Sequence, residues 1–255
     1  MAGYILGEKD PDYQQDYGSG AWCNLCLSSP SNSDGLSTVA QSIIQVLNDK
    51  GIEDYAYVLK FIKYRYPTAV DHLKHYFENP LQGREDIHYD FEMMNYFMSK
   101  SRGLRNIFEK ELKEAQAFCE EIASSLSPGI YKITSSAVSH GDFREDSADL
   151  FYAIGGYQCW GKGELTIKEI AHTRHLSIAG KMMERGKYEY NLLFTFVFFD
   201  RYNWNITSSK SRGVLLGGLI PVDDSAMGRF HQMGAAREYN IWGELQKNLV
   251  WAESF

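Results

Sequence analysis

The sequence predicts an α+β protein, in which a helical N-terminal domain precedes an antiparallel, β-rich C-terminal domain. Residues 36–125 carry apolar side chains at helical spacing, whereas short alternating apolar runs separated by glycine pairs follow Ser127-Pro128-Gly129. The chain has 255 residues, of which 44% are hydrophobic, so it can bury a substantial core. We therefore predict a flexible arm over residues 1–36, a helical domain over 37–126 and a β-rich domain over 127–255.

Five helices are expected before Ser127-Pro128-Gly129, where the composition changes. Ser37 can cap the first, which ends at Asn48-Asp49-Lys50-Gly51. Pro67 ends the second helix, and Asn79-Pro80 follows the third. The second to fifth helices are expected over residues 52–66, 68–77, 86–98 and 102–125.

Seven short strands are expected after Gly129, because their apolar residues alternate or run together between turn-forming residues. They are predicted over residues 131–134, 150–154, 157–160, 163–170, 176–179, 190–200 and 239–242. A helix over residues 223–236 is expected to pack on this sheet. Residues from Gly243 onward are expected to form a small tail.

Charge and targeting signals limit the possible functions. The formal net charge is -7 and the isoelectric point is about 5.5, which disfavours nucleic acid as a partner. The first residues lack the basic and apolar regions of a signal peptide. The longest apolar run, residues 192–199, is far shorter than the roughly 20 residues that span a bilayer. We expect a protein that is soluble in the cytoplasm and leaves without an N-terminal signal.

Four cysteines give little indication of metal or redox chemistry. Cys23 and Cys26 form one CxxC, but no second CxxC stands at zinc-finger spacing. The pair follows no strand pattern, unlike a redox CxxC at a strand-to-helix junction. Reduced cysteines are the expected state.

The most apolar run of the sequence ends in a group of polar side chains. Residues 192–199 are followed by Asp200, Tyr202, Asn203 and Asn205. A carboxylate can hold a cation or act as an acid or base, and a phenol and amides can orient a substrate. The alternative is a strand-ending turn in which Asp and Asn bond their own backbone.

The spacing Asp200-x-Tyr202-x-x-Asn205, with Arg212-Gly213 shortly after it, resembles the motif of colicin M-type bacteriocins. In that family the motif is approximately Asp-x-Tyr-Asp-x-Asn, then His-Arg-Gly. Four further segments are similar to the family in the same order: residues 17–21, 153–157, 163–167 and 236–244.

The resemblance implies a half-barrel-like activity domain and an antibacterial toxin. Such a toxin hydrolyses lipid II between undecaprenyl and pyrophosphate, in the periplasm of a target bacterium, with a divalent metal such as Mg²⁺. By position, it implies that Asp200 is the essential carboxylate and a metal ligand, Tyr202 its neighbour, and Arg212 the phosphate-facing residue. Asn205 and Lys210 are assigned to substrate binding. The expected partners are lipid II at the membrane surface, a cognate immunity protein, and a receptor or secretion machinery.

Two positions depart from the family motif. Asn203 stands where the family has its second Asp, and Ser211 stands where the family has His. Three accounts are open. His231 can supply the missing imidazole, the chain can be a divergent toxin with another lipid-linked target, or the fold can persist without this chemistry. In the last case the protein would be a membrane-perturbing toxin or a binding module.

Other side chains have alternative interpretations. Cys23 with His140 would make a papain-like peptidoglycan amidase, whereas the simpler interpretation is a packed, inert cysteine. His72, His75 and His88 are expected on a helix face or the surface. The many Tyr and Phe residues between positions 55 and 97 are expected to pack in the core rather than contact a receptor or membrane.

Overall fold

The structure is a computed structural model that describes residues 3–14, 63–82, 85–141, 143–176, 182–205, 214–216, 220–222, 224–232, 234 and 236–254. The helices in this part are α1 (Pro67–Gln82), α2 (Phe91–Lys100), α3 (Arg102–Ala123), α4 (Ala148–Ala153) and α5 (Asp224–Gln232). The strands are β1 (Ile5–Leu6), β2 (Ile87–Tyr89), β3 (Gly129–Thr134), β4 (Val138–His140), β5 (Tyr157–Leu176), β6 (Met182–Tyr202), β7 (Val214–Leu216), β8 (Ile220–Val222) and β9 (Tyr239–Ser254). The helix expected from Ser37 and most of the helix expected over 52–66 lie outside these residues.

A seven-stranded sheet organises the described part of the chain. Its order is β1-β3-β5-β6-β9-β2, with β4 paired to the beginning of β5. Neighbouring strands are antiparallel except β2 and β9, which are parallel. The predicted α+β class and largely antiparallel sheet are confirmed.

Helices and sheet share one hydrophobic core. Phe97 of α2 contacts Phe198 of β6, with ring centroids 6.2 Å apart. Phe108 of α3 contacts Phe196 edge-on at 5.5 Å and lies 6.2 Å from Phe194. These alternate residues of β6 point to the same face, so one strand meets two helices. Among the described helices, none is long and apolar enough to cross a membrane.

The expected helix over 86–98 is wrong in its first half. Residues 87–89 form strand β2, and α2 begins only at Phe91. Asp90 is its N-cap, because its carboxylate accepts a hydrogen bond from the Met93 backbone N–H at 2.8 Å. Ser101 then separates α2 from α3 and caps α3 through Leu104 N–H at 2.9 Å. The predicted helix over 102–125 is confirmed, with its end at Ala123.

The strand expected over 150–154 is also wrong, because these residues lie in or next to helix α4. Ser147 caps this helix by accepting a hydrogen bond from Leu150 N–H at 3.3 Å. Gly155 follows with a φ of 73°, a conformation that glycine adopts without steric cost. A short apolar run fits a buried helix as well as a strand, so the capping residues decide.

Two expected element ends are not observed. Helix α1 continues to Gln82 although Pro80 lacks an N–H, and the Arg237 N–H donates instead to the Tyr76 carbonyl at 2.9 Å. Strand β9 continues past Gly243 to Ser254 instead of ending in a tail. A Cβ at position 243 would lie 2.3 Å from the Met94 sulfur, so glycine lets α2 approach the strand.

The separate strands expected over 157–160 and 163–170 merge into β5, which also contains Leu176. The glycines between them belong to the strand rather than to a turn. At Gly161 a Cβ would meet the Tyr4 hydroxyl, and this hydroxyl donates to the Glu111 carboxylate at 2.8 Å. The strand expected over 190–200 is confirmed within the longer β6, and α5 lies within the helix expected over 223–236.

Candidate active site

The polar group that follows the apolar run lies at the end of β6. Asp200 and Tyr202 point to the same face of the sheet as Phe196 and Phe198, because side chains alternate along a strand. Asp200 is 7% exposed and Tyr202 is 6% exposed. Both line an open cleft of about 800 Å³, here called the Asp200 cleft, and so do Asn203 and Asn205. Four of the site residues expected from the sequence therefore lie together.

Residues distant in sequence also line the Asp200 cleft. They include His140 at the end of β4, Arg144 in the following loop, and Tyr157 at the start of β5. The Arg144 guanidinium lies 4.9 Å from the centre of the Phe151 ring. The cleft thus contains a cation and an imidazole in addition to the carboxylate of Asp200. Sequence reasoning missed Arg144 and assigned His140 to a different chemistry.

The N-terminal segment reaches this cleft as well. Gln14 lines it, and its backbone exchanges two hydrogen bonds with the Gln158 side chain, at 2.9 and 2.7 Å. Tyr13 stacks on Trp160 on the opposite face of the sheet, with centroids 5.6 Å apart and planes 8° apart. These contacts fix residue 14 at the cleft.

A cluster of tyrosines around His72 packs behind Tyr202. The Tyr202 ring stacks on Tyr239 at 5.1 Å and lies 5.6 Å from the His72 ring. His72 Nδ1 lies 2.7 Å from the Tyr239 hydroxyl, and Nε2 contacts the Tyr89 hydroxyl. His72 lies on helix α1, which is one of the two expected positions, but it is 2% exposed and so is not at the surface. His88 is exposed, as expected.

Burial determines the protonation states in the cluster. It lowers the pKa of His72 to about 3, with a further contribution from His75, because a buried imidazole cannot easily be charged. Burial also raises the pKa values of Tyr202, Tyr239 and Tyr89, and the negative charge of Asp200 raises all three further. At neutral pH the cluster holds a neutral imidazole and protonated phenols, which can donate hydrogen bonds beside the carboxylate.

His231 occupies a different position from the other expected site residues. It is 3% exposed and does not line the Asp200 cleft. Its Nδ1 accepts the Glu238 backbone N–H at 3.1 Å. The Glu238 carboxylate in turn pairs with Arg201 at 3.2 Å, and both side chains are buried. His231 thus belongs to a buried network behind the end of β6.

The remaining expected site residues lie outside the described part of the chain. They are Lys210, Ser211 and Arg212 of the motif, and Cys23 of the alternative amidase site.

Asp200 is the candidate ligand for the divalent metal that the resemblance implies, because it provides the one carboxylate among the described residues that line the cleft. Within the described residues, no group of three or more His, Cys, Asp or Glu side chains is placed to hold a metal ion. Mg²⁺ is commonly held by one or two carboxylates together with waters and substrate phosphates, so Asp200 would bind it jointly with a phosphate substrate.

Comparison with known proteins gives little beyond this geometry. No family model matches the sequence, and no curated protein matches it. Among solved structures, that of PaeM, a colicin M-like bacteriocin produced by Pseudomonas aeruginosa, is a weak structural neighbour with a TM-score of 0.35 and 13% sequence identity. The similarity covers 73% of this chain and 51% of that chain, so this chain matches about half the length of PaeM.

Proposed function

We propose that this protein is an antibacterial toxin that hydrolyses a lipid-linked pyrophosphate, lipid II, and so blocks cell-wall synthesis. One observation carries the proposal. Asp200, Tyr202 and Asn205, the described positions that match the colicin M-type motif, line a single cleft together with Arg144. A guanidinium binds phosphate oxygens with two parallel hydrogen bonds, phenol and amide groups can donate to them, and a carboxylate can accept a hydrogen bond from an attacking water.

Each side chain has a distinct role in the proposed reaction. The Asp200 carboxylate orients the attacking water by accepting a hydrogen bond from it. Tyr202 stays protonated because burial and Asp200 raise its pKa, and it therefore donates to a phosphate oxygen. The amides of Asn203 and Asn205 orient the substrate. Arg144 faces the negative charge that develops on the phosphate. By resemblance, Lys210 would bind the substrate and Arg212 the phosphate.

The proposed setting follows from the substrate. Lipid II is presented at the outer face of the inner membrane, so the toxin acts in the periplasm of a target bacterium. Release by lysis or injection by a contact-dependent secretion machine would deliver it there. A producing cell would require a neutralising immunity protein.

The test combines a defined substrate with an isosteric substitution. Purified full-length protein is mixed with lipid II, with and without Mg²⁺, and the release of undecaprenol is measured. Asp200→Asn keeps the shape of the side chain and removes its charge, and we expect at least a roughly 100-fold loss of turnover. Asp12→Asn is the matched control, because the Asp12 side chain is fully exposed, 4.0 Å from the Lys9 ammonium. An Asp200→Asn protein with full activity would remove Asp200 from the mechanism.

A second function is favoured by Asn203 and Ser211, which replace the acid-base residues of the family motif. A membrane-perturbing toxin or a binding module on the same fold would not need them. Directing the protein to the periplasm separates the candidates, because depolarisation or growth arrest with intact lipid II would support the second. Toxicity lost in Cys23→Ala would instead support the Cys23–His140 amidase.

A further inference from the structure

The cleft contains an imidazole that the motif does not provide. At the motif position of the family's His this chain has Ser211, and His231 lies behind the sheet end with its Nδ1 bonded to the Glu238 N–H. His140 comes from another strand and lines the same cleft as Asp200. Among the described histidines, His140 is the one that lines the Asp200 cleft.

The strand register places His140 and Asp200 on the same face. His140 is paired with Tyr157, and the β5–β6 ladder begins with Gln158 opposite Phe199. One residue further along this register, Tyr157 lies beside Asp200. Residues opposite each other on neighbouring strands point to the same side of a sheet, so all three side chains share a face. Two strand spacings, about 10 Å, separate the backbones of His140 and Asp200, and Tyr157 lies on the strand between them.

The chemical environment of His140 differs from that of a structural histidine. Its Nε2 is buried and has no hydrogen-bond partner among the described residues. Leaving a buried polar atom without a partner is unfavourable, and a ligand oxygen or hydroxyl at this atom would remove that cost. The ring packs against Tyr157 with centroids 5.6 Å apart, which limits its orientation.

The imidazole of His140 is poised to accept a proton. Partial burial, and then the charge of Lys110, lower its pKa below the ordinary value. The ring is therefore neutral at neutral pH, with one nitrogen able to accept a proton and the other able to donate one. Arg144, four residues later, adds a positive charge to the lining of the same cleft.

We propose that His140, rather than His231, faces the substrate phosphate in the Asp200 cleft and serves as its acid-base group. This inference rests on the proposed hydrolysis of a phosphate ester. His140 takes a proton from the attacking water as the water oxygen bonds to phosphorus. The bond from phosphorus to the leaving oxygen breaks with its electron pair on that oxygen, and the resulting imidazolium returns the proton to it.

The first test compares the two histidines in the lipid II assay. We expect His140→Ala to lower kcat at least about 100-fold with little change in KM. Added imidazole should restore at least about a tenth of the lost rate, because it can occupy the space that the side chain leaves. His231→Ala should not be rescued by imidazole. Full kcat in His140→Ala, or imidazole rescue of His231→Ala instead, would overturn the proposal.

A second readout does not depend on cleavage. The ring nitrogens of all histidines are observed by NMR while inorganic pyrophosphate is added to the wild-type protein, with exposed His88 as the internal control. The proposal predicts a saturable shift of the His140 nitrogens that is absent for His88 and lost in Arg144→Gln. If the NMR signals of the His140 nitrogens do not shift, the proposal is overturned whether or not lipid II is cleaved. A responding His140 in a protein that leaves lipid II intact would overturn only the choice of substrate.

Discussion

Two histidines of this protein lie near the motif residues, and their surroundings differ. His72 is 2% exposed, packs on Tyr202, and has a tyrosine hydroxyl at each ring nitrogen. His140 is half-buried on the cleft wall, and its Nε2 has no hydrogen-bond partner among the described residues.

The difference separates a supporting role from a reactive one. A buried imidazole with both nitrogens satisfied has no capacity left for a ligand, and it stabilises the rings that surround it. An imidazole with a shielded, unsatisfied nitrogen at a cleft retains that capacity. We therefore expect His72 to contribute mainly to folding and His140 mainly to function.

The largest expected effect on stability is that of His72→Ala. The substitution empties a buried space and removes the imidazole that contacts the hydroxyls of Tyr89 and Tyr239, although the Tyr239 hydroxyl keeps the backbone carbonyl of residue 72 as its acceptor. We expect the free energy of unfolding to fall by roughly 3 kcal/mol. Urea denaturation followed by tryptophan fluorescence measures this loss.

His140→Ala is the matched control for that experiment. Its side chain is half-buried and its Nε2 has no described partner to lose, so we expect a change below about 1 kcal/mol. Equal losses in the two variants would contradict the distinction between them.

The next effect is a dependence of stability on pH. Burial lowers the pKa of His72 to about 3, whereas the unfolded chain has the ordinary value of about 6.5. Between these values the unfolded state binds a proton that the folded state does not, so the stability present above pH 6.5 is lost as the pH falls. This group alone should cost about 2 kcal/mol between pH 7 and pH 5.

Comparison with His72→Gln isolates this contribution, because other groups titrate over the same range. The stability of the variant should decline less between pH 7 and pH 5, by about 2 kcal/mol. Parallel curves for the two proteins would mean that folding does not lower the pKa of His72.

Much of the fold could be predicted from local pattern. The helix over 102–125 has a regular apolar stripe, and β6 contains a near-continuous apolar run, so both elements were recognisable. The length of β9 was not, because Gly243 resembles a turn signal and serves instead to admit Met94. Whether a glycine ends a strand or admits a neighbour depends on tertiary contacts.

The site residues also divide into those that a local sequence pattern predicts and those that tertiary contacts place. Asp200, Tyr202, Asn203 and Asn205 could be recognised because polar side chains directly follow a buried strand, and the structure brings them into one cleft. The position of His140 beside them depends on the pairing of β4, β5 and β6, which no local pattern encodes. The burial of His72 likewise depends on strands β2 and β9.

The smallest expected effect on stability tests whether Nε2 of His72 has an effective hydrogen-bond partner, as the contrast with His140 requires. Tyr89→Phe removes the hydroxyl at Nε2 and keeps the ring, which packs edge-on against Phe97 at 4.8 Å. We expect a loss of about 1 kcal/mol in the free energy of unfolding.

Tyr131→Phe is the control, because its hydroxyl donates to the Ser127 carbonyl at an exposed position and should contribute only a few tenths of a kcal/mol. In the His72→Gln background the cost of Tyr89→Phe should shrink, since the coupling between the two side chains is already altered. A Tyr89→Phe protein as stable as the wild type would leave Nε2 of His72 without an effective partner. The two histidines would then differ in burial alone, and His72 would have to be considered beside His140 as a reactive group.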